Sequence, residues 1–217
     1  MLVSSARGGR RREEIEELCR RHRVACEVVP ERELTAVAGQ AHNGIAAQVR
    51  GESTGPEQGD PDFVVLVEDV QDPRNLGALL RVCEGVGVGR VLLRDRGTAP
   101  VTPAVVKTAA GATEWLAVER ITNSTATLGE LKDQGFWVYG TDPAGVPPWQ
   151  LDLSGRLVLC FGGEEKGLRS LTRRSCDGMI GLPMRGRVGS LNIATAAAAV
   201  LYEALRQRSL RGSVKSG

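Results

Sequence analysis

The sequence lacks any run of roughly 18 consecutive apolar residues, the minimum for a membrane-spanning helix. Its start, MLVSSARGGRRREE, places basic residues after a few apolar ones and has no apolar core of roughly 7 to 15 residues, so it does not read as a secretory signal. The expected compartment is therefore the cytoplasm. Histidine is scarce: His22 and His42 are the only two, and neither has metal-ligand or triad spacing, which argues against a histidine-based mechanism. The five cysteines (Cys19, Cys26, Cys83, Cys160, Cys176) are odd in number and never form CxxC. Neither a disulfide framework nor a zinc cluster is indicated, and they read as reduced thiols used in packing. Charge of one sign is not in excess either: a net +2 with 41% hydrophobic residues excludes an intrinsically disordered chain.

The near-neutral total hides an asymmetry. Residues 166–217 carry ten basic residues (Lys166, Arg169, Arg173, Arg174, Arg185, Arg187, Arg206, Arg208, Arg211, Lys215) against Asp177 and Glu203, a net +8 that leaves −6 for the rest. A phosphate-rich partner rewards such a field, because each neutralised phosphate releases condensed counterions. A solvated basic face is the plainer alternative.

Residues 51–62, GESTGPEQGDPD, hold three Gly, two Pro, four acids and no apolar residue, which predicts a linker. Upstream, residues 1–50 predict an amphipathic helix from about Arg11 to His22, a strand around Val24 to Val29 and an apolar run near Ile45 to Val49. Downstream, over 63–207, strands at Phe63–Val67, Arg90–Leu93, Trp115–Val118, Phe136–Tyr139, Leu157–Phe161 and Gly178–Leu182 alternate with helices from Asn75, from Pro103, near Leu128–Gln134, around Leu168 and from Ser190 to Gln207. That alternation predicts an α/β fold, a parallel sheet covered by helices on both faces. Residues 208–217 predict a flexible tail.

Ligands of such sheets bind beyond the carboxyl ends of the strands, and three turns there carry chemistry. The first, Asp72-Pro73-Arg74-Asn75-Leu76-Gly77 to Arg81, opens a helix that Asn75 can cap, Gly77 admits another backbone closely, and Arg81 among apolar neighbours calls for a partner or an anion. The second, Phe161-Gly162-Gly163-Glu164-Glu165-Lys166-Gly167-Leu168, has P-loop glycine spacing but Leu168-Arg169 where Lys-Ser/Thr is required, so nucleotide hydrolysis fails. Gly85, Gly87 and Gly89 precede a strand and lack the dinucleotide spacing, so hydride transfer fails too. The third, Leu182-Pro183-Met184-Arg185-Gly186-Arg187-Val188-Gly189-Ser190-Leu191-Asn192, ends a strand at a proline and places Ser190 to cap an alanine-rich helix.

In this order and spacing the three turns resemble the signature motifs of the SpoU branch of the SPOUT (TrmH family) RNA ribose 2′-O-methyltransferases. The resemblance covers roughly Phe63 to Gln207 and departs at Glu165, where the family often has glycine. It implies a C-terminal trefoil knot, an obligate homodimer, and S-adenosylmethionine bound in a bent form without a metal. By position, the donor would lie against Phe161, Gly162, Leu182, Met184 and Leu191, and catalysis would use Asn75, Arg81, Glu164, Ser190 and Asn192. Residues 1–50 resemble a shortened ribosomal-protein-like RNA-binding domain, with His42 to Ala46 as its closing strand and the chain starting partway through it. The stretch Leu171 to Asp177 and the loop before Ser190 most resemble members acting on guanosine of 23S rRNA, with transfer-RNA members next. Two other readings use the same residues: an RNA-binding or ribosome-assembly protein without catalysis, and methyl transfer to a substrate other than RNA.

Overall fold

The computed structural model describes residues 1–6, 9–39, 42–47, 59–164 and 166–214. The chain divides into two compact units, Met1–Glu52 and Ser53–Gly217. Most of the expected linker, Val49 at the end of the expected apolar run, Glu165 and residues 215–217 of the expected tail lie outside the described residues.

In the first unit β1 (Leu2–Ser4) is central, parallel to β2 (Glu27–Val29) and antiparallel to β3 (Ile45–Ala46). The amphipathic helix α1 (Arg10–Arg21) carries an Arg10–Glu14 pair one turn apart on its exposed side. Two elements escape the sequence reading. β1 is three residues long, and α2 (Glu31–Ala38) starts directly after Pro30 and buries only Leu34, too few apolar positions to show a period. His42 is structural: its Nδ1 accepts from the Gly44 N–H (2.9 Å) and its Nε2 meets Thr35 Oγ1 (2.9 Å).

The second unit is a parallel six-stranded sheet of order β6-β5-β4-β8-β7-β9. Its strands are β4 (Phe63–Val67), β5 (Arg90–Arg94), β6 (Ala117–Ile121), β7 (Trp137–Val146), β8 (Leu157–Phe161) and β9 (Gly178–Ile180). Helices α3 (Pro73–Gly85), α4 (Pro103–Ala109) and α7 (Ile193–Val214) cover one face; α5 (Ser124–Asp133) and α6 (Ser170–Ser175) lie on the other. The central strands explain why their sequences are continuously apolar. Phe63, Val65 and Val67 of β4 enter one core while Val64 and Leu66 enter the other, and Leu157, Leu159 and Phe161 of β8 alternate with Val158 and Cys160 in the same way. Each such side chain contributes about 1.5–3 kcal/mol by burial, so these two strands anchor the unit. Gly77 brings α3 against α4 as expected, since a Cβ there would stand 2.6 Å from both Thr108 Cβ and the Val105 carbonyl oxygen.

Several boundaries differ from the sequence reading. β6 begins at Ala117, leaving Trp115 exposed beyond a 3₁₀ turn, because this edge strand reads Ala-Val-Glu-Arg-Ile without strict alternation, so no period marks its start. α5 starts four residues before Leu128, where Asn123 accepts from the Ala126 N–H (3.2 Å). α7 continues to Val214, so residues 208–214 are helix where a flexible tail was expected.

α7 is fastened to the body through Glu203 and Gln207. Glu203 accepts two hydrogen bonds from Arg206 (2.8 Å each) and one from Gln207 (2.8 Å), whose own Oε1 accepts from the Leu153 N–H (2.9 Å). The Arg206 guanidinium, with Gln207 second, holds the Glu203 carboxyl down at about 2 against an ordinary 4.5. A depressed folded pKa means stability that is present above pH 4.5 and lost as the pH falls toward 2. Glu203→Gln should therefore flatten the fall in urea midpoint between those two values; an unchanged slope would remove Glu203 from the acid-sensitive groups.

Candidate active site

Each of the three turns is built so that one polar side chain faces its neighbours. Between β4 and α3, Asp72 accepts from the Arg74 N–H (2.8 Å) with Pro73 in the first helical position. Asp72, not Asn75, is thus the cap, which frees the Asn75 amide. After β8, Gly163 and Gly167 bridge back on themselves, the Gly167 N–H donating to the Gly163 carbonyl (2.9 Å), and Glu164 stands on the resulting turn. Before α7, Asn192 Oδ1 accepts from the N–H groups of Ala194 (3.0 Å) and Thr195 (3.4 Å), so Asn192 caps the helix in place of the expected Ser190.

The three side chains meet. Asn75 Nδ2 donates to Glu164 Oε1, while Asn192 Nδ2 donates to Asn75 Oδ1 (2.9 Å) and to Glu164 Oε1 (3.2 Å). One carboxylate oxygen is thereby fixed by two neutral amides, and the other has no partner among the described residues. A held carboxylate with one open oxygen suits orienting a hydroxyl better than transferring a proton unaided.

Other expected residues stand apart. Arg81 is exposed and makes no hydrogen bond or ion pair among the described residues. Leu76, Leu79, Leu80 and Cys83 face the core, and the helical period turns Arg74 and Arg81 outward, so Arg81 needs no buried partner. Ser190 is likewise exposed without a partner among the described residues. Phe161 is buried, Leu182 packs against the core, and Met184 and Leu191 remain exposed at 36% and 42%. Met184 and Leu191 thus leave large apolar side chains open on a polar loop, while Gly162 packs against the backbone of its own turn at Gly167 and Leu168 with no room for a Cβ. Cys83 is enclosed in the core, and burial pushes its thiol far above the ordinary range, so it is no nucleophile.

A second polar cluster was missed by sequence reasoning. Glu68, fully buried at the end of β4, accepts from Ser124 Oγ (2.6 Å), Thr172 Oγ1 (2.9 Å) and the Arg169 N–H (3.4 Å), with Arg94 Nε at 3.9 Å. Next to it Asp69 adopts a left-handed φ of 56°, donates its N–H to Thr98 Oγ1 (3.1 Å) and receives a bidentate pair from Arg169 (2.8 Å twice). Gly97 and Gly163 clear the space, since a Cβ at either would strike Asp69. These bonds pin the second turn to the first, and their one sequence signal is an acidic pair directly after an apolar strand.

The basic C-terminal quarter is not a uniform face. Arg169 pairs with Asp69, Arg173 with Asp142, Arg206 with Glu203 and Arg208 with Asp62, while Arg211 donates to Ser154 Oγ (2.8 Å). Lys166, Arg174, Arg185 and Arg187 have no partner among the described residues. The unpaired cations thus belong to the second and third turns and to α6.

The sequence profile of the SpoU rRNA Methylase family matches residues 62–202, which contain all three turns. The chain belongs to that family. Among curated relatives, the 23S rRNA (guanosine-2′-O-)-methyltransferase RlmB of Pseudomonas syringae pv. tomato is 39% identical over 204 residues, covering 89% of this chain and 82% of the relative. Among solved structures, the A. aeolicus TrmH/SpoU tRNA modifying enzyme aligns with TM-score 0.65 and 29% identity, over 72% of this chain and 80% of that one. AviRb from Streptomyces viridochromogenes, a SpoU methyltransferase solved in complex with AdoMet, shares the fold at TM-score 0.73 and 24% identity, over 96% and 82%. SpoU membership accounts for the order of the turns, and among the described residues no helix is long and apolar enough to cross a membrane.

Proposed function

We propose that this chain transfers a methyl group from S-adenosylmethionine to a ribose 2′-hydroxyl in RNA, on a guanosine of 23S rRNA, acting as a homodimer in the cytoplasm. The observation that carries the reading is the hydrogen-bonded meeting of Asn75, Glu164 and Asn192, one side chain from each family turn. The RlmB relative acts on guanosine of 23S rRNA, which supports that substrate over transfer RNA. Tyr202 and Leu210 of α7 are large apolar side chains left exposed, which supports pairing with a second copy.

When bound, the donor supplies a methyl group on a positively charged sulfur, already a strong electrophile. Phe161, Leu182, Met184 and Leu191, with the backbone at Gly162, would hold it. The chain's remaining work is alignment and help with one proton. Glu164, fixed through Oε1, accepts the 2′-hydroxyl hydrogen bond at its open oxygen and points the lone pair at the methyl carbon. Arg81, free to pair with an RNA phosphate, stabilises the oxygen as its proton passes to the open oxygen of Glu164, and Ser190 and Asn192 fix the ribose in line. The reading includes the trefoil knot that the family resemblance implies.

The test is incubation with tritiated donor and, separately, unmodified 23S rRNA, 16S rRNA and bulk transfer RNA, then alkaline hydrolysis. Label in alkali-resistant dinucleotides from 23S rRNA is expected, and Arg81→Ala should reduce it about 100-fold with donor affinity unchanged. Label from transfer RNA alone would move the substrate; no label despite donor binding would sink the enzymatic reading.

A further inference from the structure

A cavity of about 1060 Å³ lies where the sheet reverses its order. From β4 the chain lays strands outward to β5 and β6, then crosses back to build β7, β8 and β9 on the other side, so the crevice beyond β4 and β8 is the topological switch point. The cavity opens there and runs past the ends of β5 and β6 to the start of α5.

None of Phe161, Gly162, Leu182, Met184 and Leu191 lines this cavity, whereas Asn75 and Glu164 stand at its edge. It therefore adjoins the methyl-acceptor side of the site and not the donor side. Its floor is the buried Glu68 cluster, fully hydrogen-bonded and so rigid. Its far wall is different: the side chains of Thr122, Thr125 and Ser170 and the ammonium of Lys166 line it with no partner among the described residues. Uncommitted hydroxyls and a free cation, on a floor already satisfied, suit a ligand that brings both hydrogen-bonding edges and negative charge.

We infer that this crevice receives an unpaired RNA nucleotide flanking the methylated ribose. The inference rests on the RNA reading above and extends it to how the substrate is presented. A crevice of this size has room for a splayed nucleotide, and bases displayed outside a helix are what proteins read on RNA. Lys166 takes the phosphate and the Thr122–Thr125 wall takes the base edge.

The experiment compares wild type with Thr125→Glu and Thr122→Trp. Thr125 is exposed in the first turn of α5, where a carboxylate favours the helix, so the first variant should keep its melting temperature while placing a negative charge in the crevice. Filter binding of unmodified 23S rRNA should weaken about tenfold in both variants, with S-adenosylhomocysteine affinity by calorimetry unchanged. Benzoylphenylalanine at position 125 should photocrosslink to an unpaired nucleotide next to the ribose that acquires label. Unchanged RNA affinity in both variants, or crosslinks confined to duplex or to distant sites, would overturn the inference. A wild-type protein that binds RNA without methylating it would sink the enzymatic reading while the affinity ratios still test the crevice; one that binds no RNA would sink both.

Discussion

Asn192→Asp is expected to lower methyl transfer by 100-fold or more, of the order of about 10²–10³ for one lost orienting donor, while leaving the fold intact. Asn192 does two jobs with two ends of one amide. Its Oδ1 caps α7 through Ala194 and Thr195, and its Nδ2 donates to Asn75 and Glu164. Aspartate keeps the acceptor, and a carboxylate at a helix N-terminus is favoured, so the cap survives. It cannot donate, and it sets a second carboxylate against Glu164. Asn192→Ala loses both functions and should add a stability cost of about 1 kcal/mol for the missing cap. Thermal melts of the two variants beside their single-turnover rates separate the roles; an Asp variant with wild-type turnover would show that the meeting of the three side chains is structural only.

The second large effect is at Gly162. A Cβ there would lie 2.1 Å from the Gly167 carbonyl carbon, 2.2 Å from the Leu168 nitrogen and 2.3 Å from the Gly167 oxygen, all backbone atoms that no rotamer change can move aside. Gly162→Ala must open the turn that carries Glu164 and break the Gly163–Gly167 bridge. Overpacking of this kind costs about 1–3 kcal/mol, and the displaced turn should weaken S-adenosylhomocysteine binding by more than about tenfold, because the ligand's contacts are set by backbone position. Gly186 provides the control: nothing lies within 4 Å of its would-be Cβ, so Gly186→Ala should be neutral in both measurements. Equal affinities for Gly162→Ala and wild type would separate this turn from donor binding.

Much of this protein was legible in its residues. Continuous apolar runs at Phe63–Val67 and Leu157–Phe161 announce strands buried on both faces, and helical patterns between them leave a parallel sheet as the economical arrangement. Turn residues were legible as well, since glycine, proline and asparagine at fixed offsets after strands mark where a ligand can be met. Which side chain did what there was less legible. Asp72 and Asn192 cap helices that Asn75 and Ser190 were expected to cap, because the choice depends on where the first helical turn closes, and neighbouring polar residues differ in this by little free energy.

The sequence by itself determined the layered α/β plan and the three turns, because these follow from local periodicity and from residues with restricted or permissive backbones, and the order of those turns carried the resemblance to the family. Only the tertiary structure decided the rest. It joined Asn75, Glu164 and Asn192, 117 residues apart at the widest, and buried Glu68 under Ser124, Thr172 and Arg169 from two other elements. It also paired three of the C-terminal arginines, Arg169, Arg173 and Arg208, with the distant acids Asp69, Asp142 and Asp62, and left Arg81 on the surface. Pairings of this kind depend on which strand ends the sheet order sets side by side, a long-range property that no local pattern encodes.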